Sequence, residues 1–331
     1  MQRFACSILM FVIAGFTVVG CGETTNSGDS AAVADANQAE SKGTIAVSIL
    51  TSQNPFFNVI AENITAEAAK NGYDTIVVSG DQDVAKQSNQ VKDFIVNGAS
   101  AIVLCPCDSK AIGTAIQEAN QAGIPVFTTD IACLAPDAKV VSHIATDNLG
   151  GGREAGDAMI EALGGAGGKI IILDYKSAES CILRVRGFKE VIEKHNSANP
   201  DSKIEIVMEL PGEGRNPDGF KCMEDALQAH DDLVGVFAIN DPSALGARAA
   251  LEKAGKADSV KIIGFDGQTE GKQAIKDGKI YADPIQFPDK MGIQTVQTII
   301  RHFNGEEVEK EILIPTSLYR QADGLEDESL Q

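Results

Sequence analysis

Short apolar runs alternate with longer amphipathic segments along most of the chain. The runs are rich in Val and Ile, which is typical of buried strands. They lie at 44–49, 74–78, 101–104, 125–128, 169–173, 204–210, 235–239, 260–265, 281–285 and 312–314. Helical periodicity is found between most of them, for example at 60–70, 84–96, 112–122, 155–163, 183–194 and 243–253. Strands separated by helices predict an α/β fold with parallel sheets and right-handed crossovers.

Two parts of the chain repeat one another. Asp-Ser-Lys-Ala-Ile-Gly begins at Asp108 after one apolar run, and Asp-Pro-Ser-Ala-Leu-Gly begins at Asp241 after another. Each copy continues through a helical pattern to a second apolar run, and these runs lead to Asp130 and Asp266. Ligands of open α/β sheets bind at the carboxyl ends of the strands. A single strand-end aspartate is as typical of a helix cap, but the repetition favours two lobes whose carboxylates clamp a small polyhydroxylated ligand.

The N-terminus has the pattern of an export signal. Arg3 precedes an apolar stretch at 4–19, which is short for a stable membrane span. Val-Val-Gly-Cys, ending at Cys21, resembles the bacterial lipobox, so residues 1–21 predict a lipoprotein signal peptide with lipidation at Cys21. An uncleaved membrane anchor is the alternative. Segment 22–43 is polar and predicts a flexible tether, which would place a lipid-anchored domain in the periplasm, with the outer membrane allowed.

The net charge narrows the classes of binding partner. The 331 residues carry a formal net charge of −19, which argues against nucleic acid and anionic membrane surfaces as partners.

The cysteines and histidines indicate which covalent and metal sites to expect. Export permits disulfides, and a bridge from Cys105 or Cys107 to Cys133 is one expectation. The odd count of five cysteines after Cys21 leaves a free thiol. We expect neither a metal site nor a cofactor, because the chain has no CxxC pair and its four histidines are scattered.

The order of several motifs resembles a known family. Asn-Pro-Phe-Phe starts at Asn54, Thr-Asp-Asn precedes Gly150-Gly151, and Arg184 lies four residues before Phe188. Further motifs are Asn-Asp before Ala244-Leu245-Gly246, Gly-Phe-Asp-Gly around Asp266, and Gln286 before Pro288-Asp289. Over about 44–315 the chain resembles the type I periplasmic sugar-binding proteins of ABC transporters, in the ribose-binding branch. LacI-type repressors share that fold, but no helix-turn-helix precedes residue 44.

The resemblance implies a fold, a domain organisation and a site. The fold is two doubly wound parallel-sheet lobes joined by a three-strand hinge, with lobe 1 at 44–146 and 287–314 and lobe 2 at 147–286 and 315–331. The implied ligand-binding residues are Asn54, Phe56, Phe57, Asp130, Arg184, Asn240, Asp266 and Gln286. Sugar hydroxyls require carboxylates, amides and a guanidinium, and apolar C–H faces pack on aromatic rings.

Some of the implied residues also have a structural alternative. Asn54 with Pro55 is typical of a helix start, and Arg184 could pair with Glu179 on the surface. We interpret Asp147 and Asn148 as the crossing between lobes and the cap of the next helix. Four positions depart from the ribose proteins, which makes ribose itself doubtful as the ligand: Ile131 replaces an arginine, Cys105 an asparagine, Gly214 an aromatic residue and Leu50 a serine.

Three classes of function are therefore compared. The first is a monomeric lipoprotein that hands a monosaccharide, a ribose-like pentose or a hexose, to an ABC permease. The second is a sensor that signals a sugar or an autoinducer-type furanose to a chemoreceptor or membrane kinase. An enzyme is the third class, and it is not favoured because no nucleophile–base pair, metal cluster or nucleotide-binding loop stands out.

Overall fold

The computed structural model describes residues 41–330, and the predicted signal peptide, Cys21 and most of the predicted tether lie outside this range. The first lobe is built on a six-stranded sheet with four helices. Its strands are β1 (Thr44–Ile49), β2 (Asp74–Ser79), β3 (Ala101–Leu104), β4 (Val126–Thr129), β5 (His143–Thr146) and β11 (Glu311–Ile314). Its helices are α1 (Pro55–Lys70), α2 (Val84–Val96), α3 (Gly113–Gln121) and α9 (Pro288–Phe303). Asn54 and Asp83 cap the first two helices with their side chains.

The second lobe repeats this arrangement. Its strands are β6 (Gly168–Asp174), β7 (Ile204–Pro211), β8 (Leu233–Ala238), β9 (Lys261–Ile263), β10 (Ala282–Ile285) and β12 (Ser317–Arg320). Its helices are α4 (Asn148–Ala162), α5 (Glu179–Ala198), α6 (Asn216–Ala229), α7 (Asp241–Lys253), α8 (Thr269–Lys276) and α10 (Gln321–Glu326). No helix within 41–330 is long and apolar enough to cross a membrane.

The two sheets have the same order of equivalent strands. The first reads β11-β5-β4-β3-β1-β2 and the second β12-β10-β9-β8-β6-β7. The two α/β lobes with parallel-sheet cores are therefore as predicted, with one difference: β12 pairs antiparallel with β10. This strand was missed because it is a four-residue edge strand that mixes polar and apolar residues, and so lacks the continuous apolar run of the inner strands.

The chain passes between the two sheets three times. The first passage is at Asp147, between β5 and α4, and the second is at 286–287, between β10 and α9. The third is at 315–316, between β11 and β12. The passages touch one another: the Asp147 amide donates to the carbonyl of Ile314 (2.8 Å) and the Thr146 hydroxyl donates to Gln286 Oε1 (2.6 Å). These three crossing segments form the hinge between the lobes.

The predicted disulfide is wrong, because all five cysteines of the described residues are free thiols. Cys105 and Cys107 continue the alternation of β3 and belong to the core cluster on one face of the first sheet. Cys133 packs against the cluster that contains Ile102 and Leu104, which point to the opposite face. The Cys107 thiol instead lies 3.8 Å from the carbonyl oxygen of Leu50.

Candidate sugar-binding site

A cavity of about 560 Å³ lies between the lobes, and residues of both line it. The structure brings all eight sequence-predicted site residues to its wall: Asn54, Phe56, Phe57, Asp130, Arg184, Asn240, Asp266 and Gln286. The carboxyl ends of the central strands face this cavity, which is the expected position for a ligand in open α/β sheets. No group of three or more His, Cys, Asp or Glu side chains in the described part of the chain is arranged to hold a metal ion.

Asp130 and Asp266 occupy equivalent places in the two lobes. Asp130 directly follows β4, and Asp266 lies just beyond β9, the equivalent strand of the second sheet. Both have a left-handed backbone, with φ of 63° at Asp130 and 108° at Asp266. A non-glycine residue in this region is strained, and such strain is concentrated at functional sites. The repeat found in the sequence therefore ends in two similarly strained, buried carboxylates.

Asp266 lies at the centre of a hydrogen-bond network. Its Oδ1 accepts from Arg184 Nη1 (3.1 Å) and from Gln286 Nε2 (2.6 Å), and its Oδ2 accepts from Gln268 Nε2 (3.0 Å). The Arg184 guanidinium also donates to Asn148 Oδ1 (2.8 Å) and to the carbonyl oxygen of Ile239 (2.7 Å). The side chains of this network thus hold one another in position.

This network excludes the surface pairing of Arg184 with Glu179 that the sequence left open. Arg184 is buried, its charged partner is Asp266, and its guanidinium stacks 3.9 Å from the centre of the Phe265 ring. Asp147 caps α4 as interpreted, accepting from the amide of Gly150 (2.9 Å). Asn148, however, positions Arg184 and is not only part of the crossing.

Burial changes the proton affinity of both aspartates. Desolvation raises the pKa of Asp130 to about 7; the positive charge of Arg184 opposes this shift and the negative charge of Asp266 adds to it. Desolvation also raises the pKa of Asp266, while Arg184, Gln268 and Gln286 act in the opposite direction. Asp130 Oδ1 is buried and has no hydrogen-bond partner among residues 41–330. No side chain or backbone group of the described residues therefore uses this acceptor position.

Two aromatic rings form the wall on the side of the first lobe. Phe56 and Phe57 lie in the first turn of α1, and their rings meet edge to face with centroids 5.2 Å apart. Both line the cavity although they are adjacent in a helix, because α1 begins at the cavity's edge. Asn54 is the N-cap of this helix, and its Oδ1 accepts from the amide of Phe56 (3.0 Å). Asn54 therefore has the structural role that was its alternative, and it also faces the cavity.

The Asn240 side chain joins the start of α7 to the backbone at Gly214 in the second lobe. Its Oδ1 caps α7 by accepting from the amide of Ser243 (3.1 Å), and its Nδ2 donates to the carbonyl of Gly214 (3.0 Å). Gly214 has φ of +66°, and a Cβ there would lie 3.1 Å from Asn240 Nδ2. Arg215 is half exposed and pairs with Asp218 (2.6 Å). The region around Gly214 thus has a backbone wall at the position where, by the family resemblance, the ribose proteins carry an aromatic residue.

The other departures have different positions. Ile131 and Leu50 line the cavity and are buried, so they replace polar contacts with apolar surface. Cys105 is buried in the core of the first lobe and does not line the cavity. The first lobe therefore offers few polar side chains to a ligand besides Asp130 and the residues at the start of α1.

Sequence reasoning missed cavity residues that close the cleft. Gln82 follows β2 and donates to the carbonyl of Glu213 in the other lobe (3.4 Å). Tyr175 directly follows β6, and its hydroxyl donates to the carbonyl of Cys107 (3.4 Å). Both occupy strand ends, so the rule that identified Asp130 and Asp266 would have found them if it had been applied to every strand.

A second set of contacts between the lobes involves Ser109. Its amide donates to the carbonyl of Ser177 (3.0 Å), and its hydroxyl oxygen accepts from the amide of Glu179 (2.9 Å), the first residue of α5. The lobes are thus joined by hydrogen bonds across the cleft as well as by the hinge.

Comparisons with known proteins identify the family of the chain. A family model for the periplasmic binding protein domain matches residues 45–307. The ribose import binding protein of Salmonella typhimurium is 39% identical over 272 residues, covering 82% of this chain and 88% of the relative. The D-apiose import binding protein of Paraburkholderia graminis is 36% identical over 248 residues, covering 75% of this chain and 77% of the relative.

Solved structures give the same result. An ABC transporter solute-binding protein of Bacillus halodurans, solved with bound myo-inositol, superposes with a TM-score of 0.79 at 27% identity, covering 88% of this chain and 99% of that one. The chain belongs to the periplasmic binding proteins of type I, in the ribose-binding branch of the sugar-binding proteins.

Proposed function

We propose that this chain captures a neutral monosaccharide between its lobes and delivers it to an ABC permease. The observation that carries the proposal is the pair of buried carboxylates at equivalent strand ends, Asp130 and Asp266, with Arg184 between the lobes. A carboxylate accepts from sugar hydroxyls and a guanidinium donates to them, and charge-assisted bonds of this kind are the strong ones.

The individual roles follow from the contacts. Asp130 Oδ1 accepts from a ligand hydroxyl, because it is buried and has no partner within 41–330. Phe56 and Phe57 contact the C–H face of the ring by dispersion. Asn54 and Asn240 offer amide groups, and Gln286 connects Asp266 to the hinge. Because the polar groups of the second lobe are already fixed, little ordering is needed on binding.

The ligand class is a pentose, a hexose or a cyclic polyol. Related proteins bind ribose or apiose by name, and the structural relative was solved with myo-inositol. Ile131 and Leu50 offer no polar group to a hydroxyl from the first lobe, and Gly214 carries no side chain into the cavity that it lines. We therefore expect weaker ribose binding than in the ribose proteins and tolerance of a larger or differently substituted sugar.

Delivery requires a location and a moving part. Lipidation at Cys21, after removal of residues 1–20, would hold the protein at the periplasmic face of a membrane. The proposed moving parts are lobe 1 (44–146 and 287–314) and lobe 2 (147–286 and 315–331). A ligand that touches both lobes favours their closed arrangement by the difference in its affinity for the two states.

A sugar panel tests the proposal. The full-length chain in detergent would be screened by thermal shift against D-ribose, D-apiose, D-allose, D-xylose, D-galactose, D-fructose and myo-inositol, and active compounds would be titrated by calorimetry. A ligand at 100 times its dissociation constant adds about 2.7 kcal/mol to the free energy of unfolding. Loss of uptake of the same sugar in cells that lack the gene would support delivery, whereas unchanged uptake with loss of a sensory response would favour the sensor.

A further inference from the structure

One part of the cavity wall is apolar. Leu50 and Ile131 belong to it in the first lobe, and Ala178 and Cys181, at the start of α5, belong to it in the second. All four are at most 6% exposed and are members of one apolar cluster, which extends from the first lobe into the second. We call these four residues the apolar patch.

The loop after β3 holds the two halves of the apolar patch together. The carbonyl of Ser109, in this loop, accepts from the amide of Leu134 (2.6 Å), which follows Ile131 closely in the chain. The amide of Ser109 donates to the carbonyl of Ser177 (3.0 Å), directly before Ala178. The segments that carry the first-lobe and second-lobe members of the patch are therefore joined to one residue across the cleft.

The backbone polar groups of the first-lobe half are used within the protein. The carbonyl of Leu50 accepts from the amide of Gln82 (3.0 Å), and the amide of Ile131 donates to the carbonyl of Thr129 (2.8 Å). A ligand group that lies on the side chains of Leu50 and Ile131 therefore meets their hydrocarbon surface.

Cys181 adds a neutral thiol to this surface. It is a free cysteine, and burial raises the pKa of its thiol to about 12, so the group is not ionised at neutral pH. A buried free cysteine behaves as a small apolar side chain and is only a weak hydrogen-bond donor. Because Cys181 precedes Arg184 by three residues, the two side chains lie on the same side of α5, and both line the cavity. The apolar patch thus continues beside the charged network of the site.

Polar residues flank the apolar patch along the chain. Three of these sequence neighbours also line the cavity: Thr51, Asp130 and Ser180. Ring hydroxyls of a sugar can contact such groups, but a hydroxyl placed on the patch itself would lose its hydrogen bonds to water without replacement, which is unfavourable. A methyl group at the same place would instead be stabilised by burial. The wall therefore favours a ligand that is polar around most of its ring and apolar at one substituent.

We propose that the apolar patch receives the methyl group of a 6-deoxyhexose. Such a sugar keeps its ring hydroxyls for Asp130, Arg184 and Asp266, and it has a methyl group where an ordinary hexose has a hydroxymethyl group. Because the patch has members in both lobes, the methyl group contacts both of them. This role rests on the proposed capture of a sugar, and it narrows the ligand class from pentoses, hexoses and cyclic polyols to deoxy sugars.

Pairs of sugars that differ by one hydroxyl test the apolar patch. The full-length chain in detergent would be titrated calorimetrically with D-fucose and D-galactose, with L-rhamnose and L-mannose, and with 6-deoxy-D-glucose and D-glucose. In the pair that fits the cavity, the deoxy sugar should bind about 10- to 100-fold more tightly, which is the range in which an apolar pocket discriminates against an added hydroxyl.

The outcomes of these titrations separate the ligand class from the proposed function. Equal or tighter binding of the hydroxylated member in every pair, or binding only of sugars without a methyl group, would overturn the role of the patch and leave the capture of a sugar intact. If no sugar of these pairs or of the panel described above bound, both would be overturned.

Variants of the patch distinguish this role from a general effect on folding. Leu50→Asn places an amide of similar size on the patch and should reduce the preference for the deoxy sugar about tenfold, while Cys181→Ser should reduce it by a smaller factor. Damage to the fold would weaken both members of a pair equally and leave the preference unchanged. Leu134→Asn, at an exposed leucine of the first lobe, and Cys222→Ser, at a buried thiol of the second, change residues that do not line the cavity, so both controls should keep the preference. A preference that survives both patch variants would show that the methyl group lies elsewhere.

Nuclear Overhauser contacts would locate the methyl group directly. In protein with labelled Ile and Leu methyl groups, the C6 methyl of the bound deoxy sugar should show contacts to Leu50 and Ile131 and none to Leu134. Absence of contacts to both Leu50 and Ile131 at a saturating sugar concentration would overturn the proposal even if the deoxy sugar bound more tightly.

Discussion

Arg184 and Asp266 lie 3.1 Å apart, and each side chain keeps only 4% of its surface exposed. Burying an ion pair costs several kcal/mol per charge, and the cost is offset only when further hydrogen bonds complete the geometry. Here Arg184 has Asn148 and the carbonyl of Ile239, and Asp266 has two glutamines. The pair is therefore stabilised within the protein, and under the proposed function a sugar would contact it without new desolvation of either charge.

Removing Asp266 should weaken binding more than any other single change in the second lobe. In Asp266→Ala the guanidinium of Arg184 stays buried without its charge partner, so the loss should be about 2–4 kcal/mol of binding free energy. Asp266→Asn should not rescue binding, because Asp266 accepts three hydrogen bonds and an amide would present a donor to some of those donors. Calorimetric titration with the sugar that the panel identifies measures the binding free energy of both variants.

The control for this change is Asp232→Ala. Asp232 pairs with Lys169 at 2.8 Å, but both side chains are well exposed and neither lines the cavity. Exposed pairs of this kind contribute little, so binding and stability should stay nearly unchanged. Binding unaffected by Asp266→Ala would show that the proposed site is wrong.

Asn148→Ala should weaken binding less than Asp266→Ala. Asn148 Oδ1 accepts from Arg184 Nε, so its loss leaves one donor of the guanidinium unpaired but keeps the charge pair. We expect a cost of about 1–2 kcal/mol in binding. The order of the two effects, measured by titration under one condition, distinguishes a positioning residue from a ligand contact. A larger effect at Asn148 would place it in direct contact with the sugar.

Asp130 should make binding depend on pH. Its pKa is raised to about 7 by burial, and a hydroxyl donor favours the ionised form, so binding below pH 7 must release a proton. Affinity should therefore rise from pH 5 to pH 7 and then level off. The apo protein should show the opposite trend, since a carboxyl with a raised folded pKa contributes stability below about 4 that is lost as the pH rises through about 7. Asp130→Asn should flatten both profiles, and an unchanged pH dependence in that variant would exclude Asp130 as the cause.

Lipidation should depend on Cys21. The apolar stretch and the Val-Val-Gly-Cys sequence predict acylation there, so Cys21→Ser should remove palmitate labelling and release the protein from the membrane fraction. Cys222→Ser, which changes a buried thiol of the folded part, is the matched control and should keep the label. Labelling that survives Cys21→Ser would show that the segment is an uncleaved anchor or is modified elsewhere.

The features predicted best from the sequence are the strands, which hydrophobic periodicity reveals, and the aspartates at strand ends. Ten of the twelve strands were found because their apolar runs are continuous, and Asp130 and Asp266 were found because they end repeated units. β5 was not predicted as a strand, because its buried sequence His-Ile-Ala-Thr is not a continuous apolar run. β12 was not found, since a four-residue edge strand that mixes polar and apolar residues leaves no such run. The Cys133 bridge was predicted wrongly because distance along the chain does not reveal which face of the sheet a thiol occupies.

The side-chain contacts of the site could not be predicted from the sequence, because they form only in the folded structure. The link from Thr146 to Gln286 to Asp266 joins residues that are 140 and 20 positions apart in the chain. Asn148 had the residue type and position of a helix cap, and only the packing of α4 against α5 shows that its side chain meets Arg184.

Closure of the lobes should depend on Ser109. Its hydroxyl oxygen accepts from the amide of Glu179 across the cleft, at a place that does not line the cavity, so Ser109→Ala should destabilise the closed state without altering the sugar contacts. Loss of one such hydrogen bond costs about 0.5–1.5 kcal/mol, which should appear as a two- to tenfold loss of affinity.

Sugar dissociation kinetics and small-angle scattering distinguish a less stable closed state from damage to the sugar-binding site. A closed state that is less favoured should release the sugar faster, and small-angle scattering should show a larger mean radius of gyration at subsaturating sugar than in the wild type. Ser88→Ala, whose hydroxyl bonds within α2 to the carbonyl of Val84, removes a serine from the same lobe and should change neither quantity. If a saturating, proven ligand gives no compaction even in the wild type, the chain does not close on its ligand and the hinge formed by the three crossing strands has no such function.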